Sequence, residues 1–181
     1  MQQGHQERLA PLVAEIMAEA GIGFDAVDRI GVTVGPGSFT GLRVGLAFAK
    51  GLGLALDRPV VGIDSLEAMV ASAGRAGAGL VLIDARRGQA YVRRFEGDRP
   101  SGASEAVTLE SLGTQAAPDW VAGPGVDLVR DLWPGAGVDA RAGADPVAVA
   151  RLAAGADPET HRPEPVYLRA PDAKLPGGVD P

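Results

Sequence analysis

The stretch Gly35–Leu56, GPGSFTGLRVGLAFAKGLGLAL, constrains this chain more tightly than any other. It carries glycine at positions 35, 37, 41, 45, 51 and 53, and its second half is almost wholly apolar. Such a stretch can be a phosphate-binding loop, a membrane helix, or a helix surface built for another helix. A phosphate loop needs free backbone N–H groups at a helix N-terminus. Gly35-Pro36-Gly37-Ser38 offers some, but Pro36 removes one donor and the spacing is not GxxxxGK[ST]. As a GxGxxG fingerprint, GPGSFT lacks the third glycine. The apolar run Leu42–Leu56 includes Arg43 and Lys50, which reads as too short and too charged to span a bilayer.

Close packing accounts for more of the residues. Gly41, Gly45, Ala49 and Gly53 recur every four positions, which reads as one smooth, nearly bare stripe along a helix. Each interior glycine costs a helix about 1 kcal/mol relative to alanine, and close approach of a neighbour offsets that cost. The neighbour is either another part of this chain or a partner subunit. The spacing fits both.

The flanking pattern is α-β-α-β-α. Leu9, Leu12, Val13, Ile16 and Met17 recur in steps of three and four within GHQERLAPLVAEIMAEAG, which predicts a helix ending near Gly21. Alternation in DRIGVTVG predicts a strand, and Ser38 or Thr40 is a suitable N-cap for the glycine-rich helix. PVVGI, residues 59–63, reads as a short buried strand. Asp64-Ser65-Leu66-Glu67 has capping-box spacing and opens a further helix. This order argues for parallel strands joined by helical crossovers.

From about Gly77 the pattern changes. Leu80–Asp84 and Gln89–Phe95 read as a hairpin, 97–107 as a polar loop, and TLESLG as a short helix. DWVAG and GVDAR read as strands, GPGVDLVRDLW as a turn and helix, and DPVAVARLAAG as a helix with Asp145 as N-cap and Pro146 at its first position. The Pro-rich tail reads as extended. VTVGPGSFTGLRV and WVAGPGVDLVRDL repeat the order strand, Gly-Pro-Gly, helix at a spacing of 88 residues. Chance or a duplicated two-lobe architecture accounts for it.

With 181 residues the chain suits one domain or two small lobes. The net charge of −6 argues against a large basic nucleic-acid surface, though Arg86, Arg87, Arg93 and Arg94 form a small basic cluster in sequence. Cysteine is absent, so disulfides, thiolate metal sites and a cysteine nucleophile are excluded, which fits a cytoplasmic setting. The polar opening MQQGHQERLAPL does not read as a signal peptide. His5 and His161 are far apart and neither has a second histidine at metal-ligand spacing. Ser38 and Ser65 read as helix caps without a base beside them. Asp84, Arg86 and Arg87 fall at a strand end and turn, where either a ligand or only solvent meets them.

Taken together, GHQERLAPLV, VGPGSFTGLRVGLAFAKGLGLAL, VVGIDSLEAM, IDARRGQAYVRRF and PVYLRAPDAK resemble the bacterial tRNA threonylcarbamoyladenosine biosynthesis protein family TsaB, also called YeaZ. The pieces run in the family's order from residue 4 to about 174. The resemblance implies an α/β fold of the actin/Hsp70/sugar-kinase type, with two RNase H-like lobes. On that basis residues 1–76 would form the first lobe, 77–162 the second, and 163–181 an extended tail. It implies a non-catalytic subunit that pairs with the catalytic subunit TsaD, and with the ATPase TsaE, in making N6-threonylcarbamoyladenosine at position 37 of tRNA. The tRNA would be met through the complex, no cofactor is implied, and no membrane is involved. The partner interface would comprise Leu9, Leu12, Val13, Ile16, Gly41, Gly45, Ala49 and Gly53, shared with TsaD or with a second copy. The family often carries a peptidase label, but TsaD-type proteins hold metal with an HxxxH pair that His5 and His161 cannot make. The competing enzyme reading is a degenerate kinase-like or peptidase-like protein that binds nucleotide or metal.

One departure from the family matters. The family opens with strands of the type ILAIDTS, and roughly 25–30 residues of strand and turn have no counterpart before GHQERL. The first lobe is therefore expected to lack its N-terminal antiparallel strands. Strand 29–35 would then carry an open apolar edge. The expectation is a chain that is poorly stable alone, self-associates through that edge, or rearranges its first lobe. A cooperative monomeric melt of ordinary stability contradicts it.

Overall fold

The computed structural model describes residues 5–71 and 74–169. Two sheets organise them. The first holds two parallel strands, β1 (Ile30–Gly35) and β2 (Val60–Asp64), joined by the helix α2 (Phe39–Leu56). A helix α1 (His5–Ala20) precedes them. The strands work by alternation, since successive side chains point to opposite faces. The Ile30 side chain reaches toward Gly53 of α2, whereas Gly31 lies against Val149 and Ala153 of a late helix, α5 (Pro146–Gly155). So α2 and α5 cover opposite faces. Arg29 donates from Nη1 to the carbonyls of Ala153 and Ala156, each at 2.9 Å, and satisfies the open end of α5. Among the described residues, β1 pairs with β2 alone.

Short apolar runs build the second sheet. Its strands are β3 (Ala78–Arg86), β4 (Gln89–Glu96), β5 (Arg99–Pro100), β6 (Glu105–Thr108), β7 (Trp120–Ala122) and β8 (Gly137–Asp139). The order is β5-β4-β3-β7-β8, with β6 also paired to β4. β3 runs antiparallel to β4 and parallel to β7, and β7 runs parallel to β8. One face packs Val81, Phe95, Trp120 and Ala122 against Leu66, Met69 and Val70 of α3 (Ser65–Val70). The other packs Leu80, Leu82, Ala90 and Val92 against Leu112 of α4 (Leu109–Gly113), Val126, Val129 and Trp133. Helix α3 follows β2 directly but covers the second sheet, so it lies where the two sheets meet. Conversely, α5 belongs by sequence to the 77–162 segment and packs on the first sheet.

The repeat in the sequence has a conformational counterpart. Gly35 ends β1 and Gly123 follows β7, with φ of +114° and +108°, a region that L side chains rarely adopt. A Cβ at Gly35 would stand 2.8 Å from the Val166 carbonyl oxygen, and one at Gly123 would stand 2.5 Å from that of Leu82. Both turns thus require glycine for conformation and for space. The helix expected after the second turn does not form. Only a 3-10 turn, Val126–Leu128, follows.

Two further expectations change. Residues 97–107 are not simply a loop, because β5 and β6 pair with β4 there. The capping box at Asp64 is half made. Asp64 Oδ1 accepts from the backbone N–H of Leu66 and Glu67 at 2.9 and 3.0 Å, and Asp64 rather than Ser65 caps α3. The Glu67 carboxylate does not turn back to the cap. It accepts from Arg93 Nη1 at 3.0 Å, and the same nitrogen lies 3.3 Å from Asp64.

Candidate partner interface

The glycine-rich helix α2 starts at Ser38, whose side chain accepts from the Gly41 N–H at 3.4 Å. It ends at Asp57, which adopts the left-handed conformation. Leu42, Leu46, Ala49 and Gly53 form its buried face. By length and apolar content alone α2 suffices to cross a bilayer. What it does in this fold is different: that buried face packs over β1 and β2, and its two ends are capped.

The four-residue stripe does not stay on one face. A step of four residues advances about 400° on an α-helix, a drift of about 40° per step. Gly41 is exposed, with only Ser38 near the place of its absent Cβ. Gly45 is half-buried and has nothing within 4 Å of that place. Ala49 and Gly53 are buried. A Cβ at Gly53 would collide with Val60 Cγ2 and stand 2.9 Å from the Arg58 carbonyl oxygen. Ala49 and Gly53 are therefore turned toward this chain's own sheet, because three steps of drift carry the stripe from the flank of α2 to its inner face. Only Gly41 and Gly45 are open to a neighbour. They line the cleft between the sheets with Thr33, Ser65, Met69 and Ile83.

Helix α1 meets the outer side of α2 near Leu9. Leu9 meets Arg43, Val44, Ala47 and Phe48 in a shallow groove between the two helices. Leu9 and Val13 are half-buried, whereas Leu12 and Ile16 remain 47% and 53% exposed. Leu54 on α2 is 87% exposed. The four predicted α1 positions thus fall into an inward pair and an outward pair. The groove residues Val44, Ala47 and Phe48, and the outlying Leu54, were not singled out by the sequence reading, although their apolar character within a helix was the available signal.

The tail also contributes. Gly62 N–H donates to the His161 carbonyl and Val166 N–H to the Val34 carbonyl, both at 2.8 Å, so residues 161–166 cross the first sheet. Arg43 Nε donates to Tyr167 Oη at 3.0 Å, and the Arg43 guanidinium lies 3.8 Å above the Phe39 ring. The motif PVYLRAPDAK held this signal in the sequence; its last residues, 170–174, lie outside the described residues.

Other candidates serve local structure. Arg93 and Arg94 are neighbours on β4 and so point to opposite faces. Arg93 is paired with Glu67 and Asp64, while Arg94 contacts Glu105 and Gln115. Arg86 pairs with Asp84 within the hairpin at 3.0 Å. The basic run of the sequence is thereby dispersed. His161 turns its Nδ1 to Thr160 Oγ1 and the Asp157 carbonyl, and the His5 side chain lies outside the described residues. The cleft between the sheets has no ionisable residue among those that line it.

Comparison with known proteins agrees with this architecture. A family model described as TsaD, tRNA N6-adenosine threonylcarbamoyltransferase, matches residues 1–107. The tRNA threonylcarbamoyladenosine biosynthesis protein TsaB of Escherichia coli is 31% identical over 196 aligned positions, covering 96% of this chain and 85% of that protein. A tRNA N6-adenosine threonylcarbamoyltransferase of Novosphingobium aromaticivorans is 43% identical over 65 residues, 36% of this chain and 19% of that protein. A Pseudomonas aeruginosa crystal structure described as similar to the peptidase YeaZ superposes with a TM-score of 0.76 at 30% identity, covering 92% of this chain and 85% of that one. The mixed α/β fold is of the actin/Hsp70/sugar-kinase type, and the chain belongs to the TsaB (YeaZ) family.

Proposed function

We propose that this chain is a non-catalytic subunit for threonylcarbamoyladenosine formation in tRNA, and that the outer face of α1 and α2 receives a TsaD-type catalytic subunit. One observation carries the reading. Leu12 and Ile16 of α1 and Leu54 of α2 are exposed, and Leu9 of α1 lines an apolar groove with Val44, Ala47 and Phe48 of α2, so both helices carry uncovered apolar surface. The TsaD family match supports the choice of partner, because residues 1–107 include both helices. A partner with the same helix pair can meet this face in a nearly two-fold arrangement, as in isologous interfaces. A second copy of this chain is the competing occupant by the same argument. Gly41 and Gly45 supply a bare flank beside the face, while Ala49 and Gly53 are withdrawn from it.

The non-catalytic role is supported by where the polar groups are used. Asp64 caps α3, approaches Arg93 and accepts from Ser104 Oγ at 2.5 Å, and Asp84 is held by Arg86. In this account TsaE joins the assembly, tRNA is met through the complex, and the work is cytoplasmic. Co-elution of the chain with its cognate TsaD on a sizing column tests the reading. A stoichiometric complex is expected. A chain that elutes alone, or as a dimer indifferent to added TsaD, contradicts it.

A further inference from the structure

The tail does more than finish the chain. After α5 it crosses the open end of the first sheet, joined to Gly62 and Val34 by backbone hydrogen bonds. Gly35 leaves the space it needs, since a Cβ there would press on the Val166 carbonyl. At its last described residue, Arg169 Nη1 donates to the Ala85 carbonyl of β3 at 2.8 Å. Between these anchors, Tyr167 Oη accepts from Arg43 Nε, and the Tyr167 and Phe39 rings stand 5.4 Å apart. Arg43 is also a wall of the α1–α2 groove.

The tail and the groove therefore share one side chain. An unrestrained arginine on a helix loses substantial rotamer entropy when it is immobilised at an interface. Here stacking on Phe39 and the hydrogen bond to Tyr167 fix Arg43 before any partner arrives. Phe39, Val166 and Tyr167 remain 42%, 38% and 43% exposed, and form an apolar rim next to the groove.

We propose that segment 161–169 is a strap that completes the docking face, with Tyr167 as the positioning residue for Arg43. The inference rests on the docking reading above, and its occupant is the same TsaD-type subunit. Continuity of the rim with the groove through Arg43 argues for a single occupant spanning both. Its contacting surface would be apolar, with a hydrogen-bond acceptor opposite the Arg43 guanidinium.

The test is calorimetric titration of the full chain with its cognate TsaD-type subunit, with a thermal melt of each variant alone. Tyr167→Ala is expected to weaken binding by about tenfold or more, with little change in the melt. Tyr167→Phe keeps the ring, loses the hydroxyl, and is expected to fall between that variant and the parent. Arg43→Ala combined with Tyr167→Ala is expected to cost less than the sum of the two single losses, because part of the Tyr167 effect passes through the Arg43 guanidinium. Leu12→Asp serves as the control on the docking reading. Parental affinity in both Tyr167 variants, with binding lost in Leu12→Asp, overturns the strap and leaves the docking face standing. Parental affinity in all of them overturns both. If Tyr167→Ala lowers the melt, Tyr167→Phe decides, and parental affinity there overturns the positioning role.

Discussion

Leu12→Asp combined with Ile16→Asp is expected to abolish binding of the TsaD-type subunit while the isolated chain melts at its parental temperature. Both side chains lie on the outward side of α1, about half exposed, so neither holds the fold together. Surface changes away from packed or paired groups usually alter stability by less than about 0.5 kcal/mol. At the centre of an interface the same positions carry far more. Losing a buried apolar anchor costs about 2 kcal/mol or more, and leaving a carboxylate unpaired in an apolar contact adds a desolvation cost. Two such changes together amount to a loss of about a thousandfold or more in affinity. Calorimetric titration beside thermal melts reads both quantities. Retained affinity removes α1 from the interface. Lost affinity together with a collapsed melt would mean that these residues support the fold instead.

Gly53→Leu and Gly45→Leu are expected to part company, although they lie on the same four-residue repeat. At Gly53 a side chain would collide with Val60 Cγ2 and the Arg58 carbonyl, where α2 closes on β1 and β2. Overpacking of this kind costs about 1–3 kcal/mol, and here the backbone itself must yield. At about 2–4 °C per kcal/mol for a chain of this size, the melt should fall by about 5–10 °C. At Gly45 nothing stands within 4 Å, and replacing glycine in a helix returns up to about 1 kcal/mol of propensity. Its melt should hold or rise. Equal losses at both sites would contradict the orientation of α2.

Much of this fold was legible because its signals are local. Alternation in β1, the Asp145 cap and Pro146 of α5, and the paired Gly-Pro-Gly turns all depend on neighbours within a few residues. The family motifs were legible for the same reason. What escaped depends on distance or on accumulated angle. The strands β5 and β6 are too short and polar to show a pattern, and they exist because β4 offers them an edge. The 3-10 turn at Val126–Leu128 followed a sequence that reads as a helix. Arg93 and Arg94 look like one basic cluster until the two-residue period of a strand sends them to opposite faces. The glycine repeat looks like a single stripe until its drift of about 40° per step is followed along α2. The strap was visible only as an unusual motif, because its partners, Val34, Gly62, Arg43 and Ala85, are all far away in sequence.

The outer face of α1 and α2 is the proposed seat of the partner subunit. Amide hydrogen exchange of the full chain, measured with and without its cognate TsaD, tests it most directly. New protection is expected in residues 9–17 of α1 and 43–54 of α2 when the partner is bound, with the second sheet unchanged. Protection confined to β3–β8, or none in α1 and α2 under conditions where the complex is formed, would contradict it.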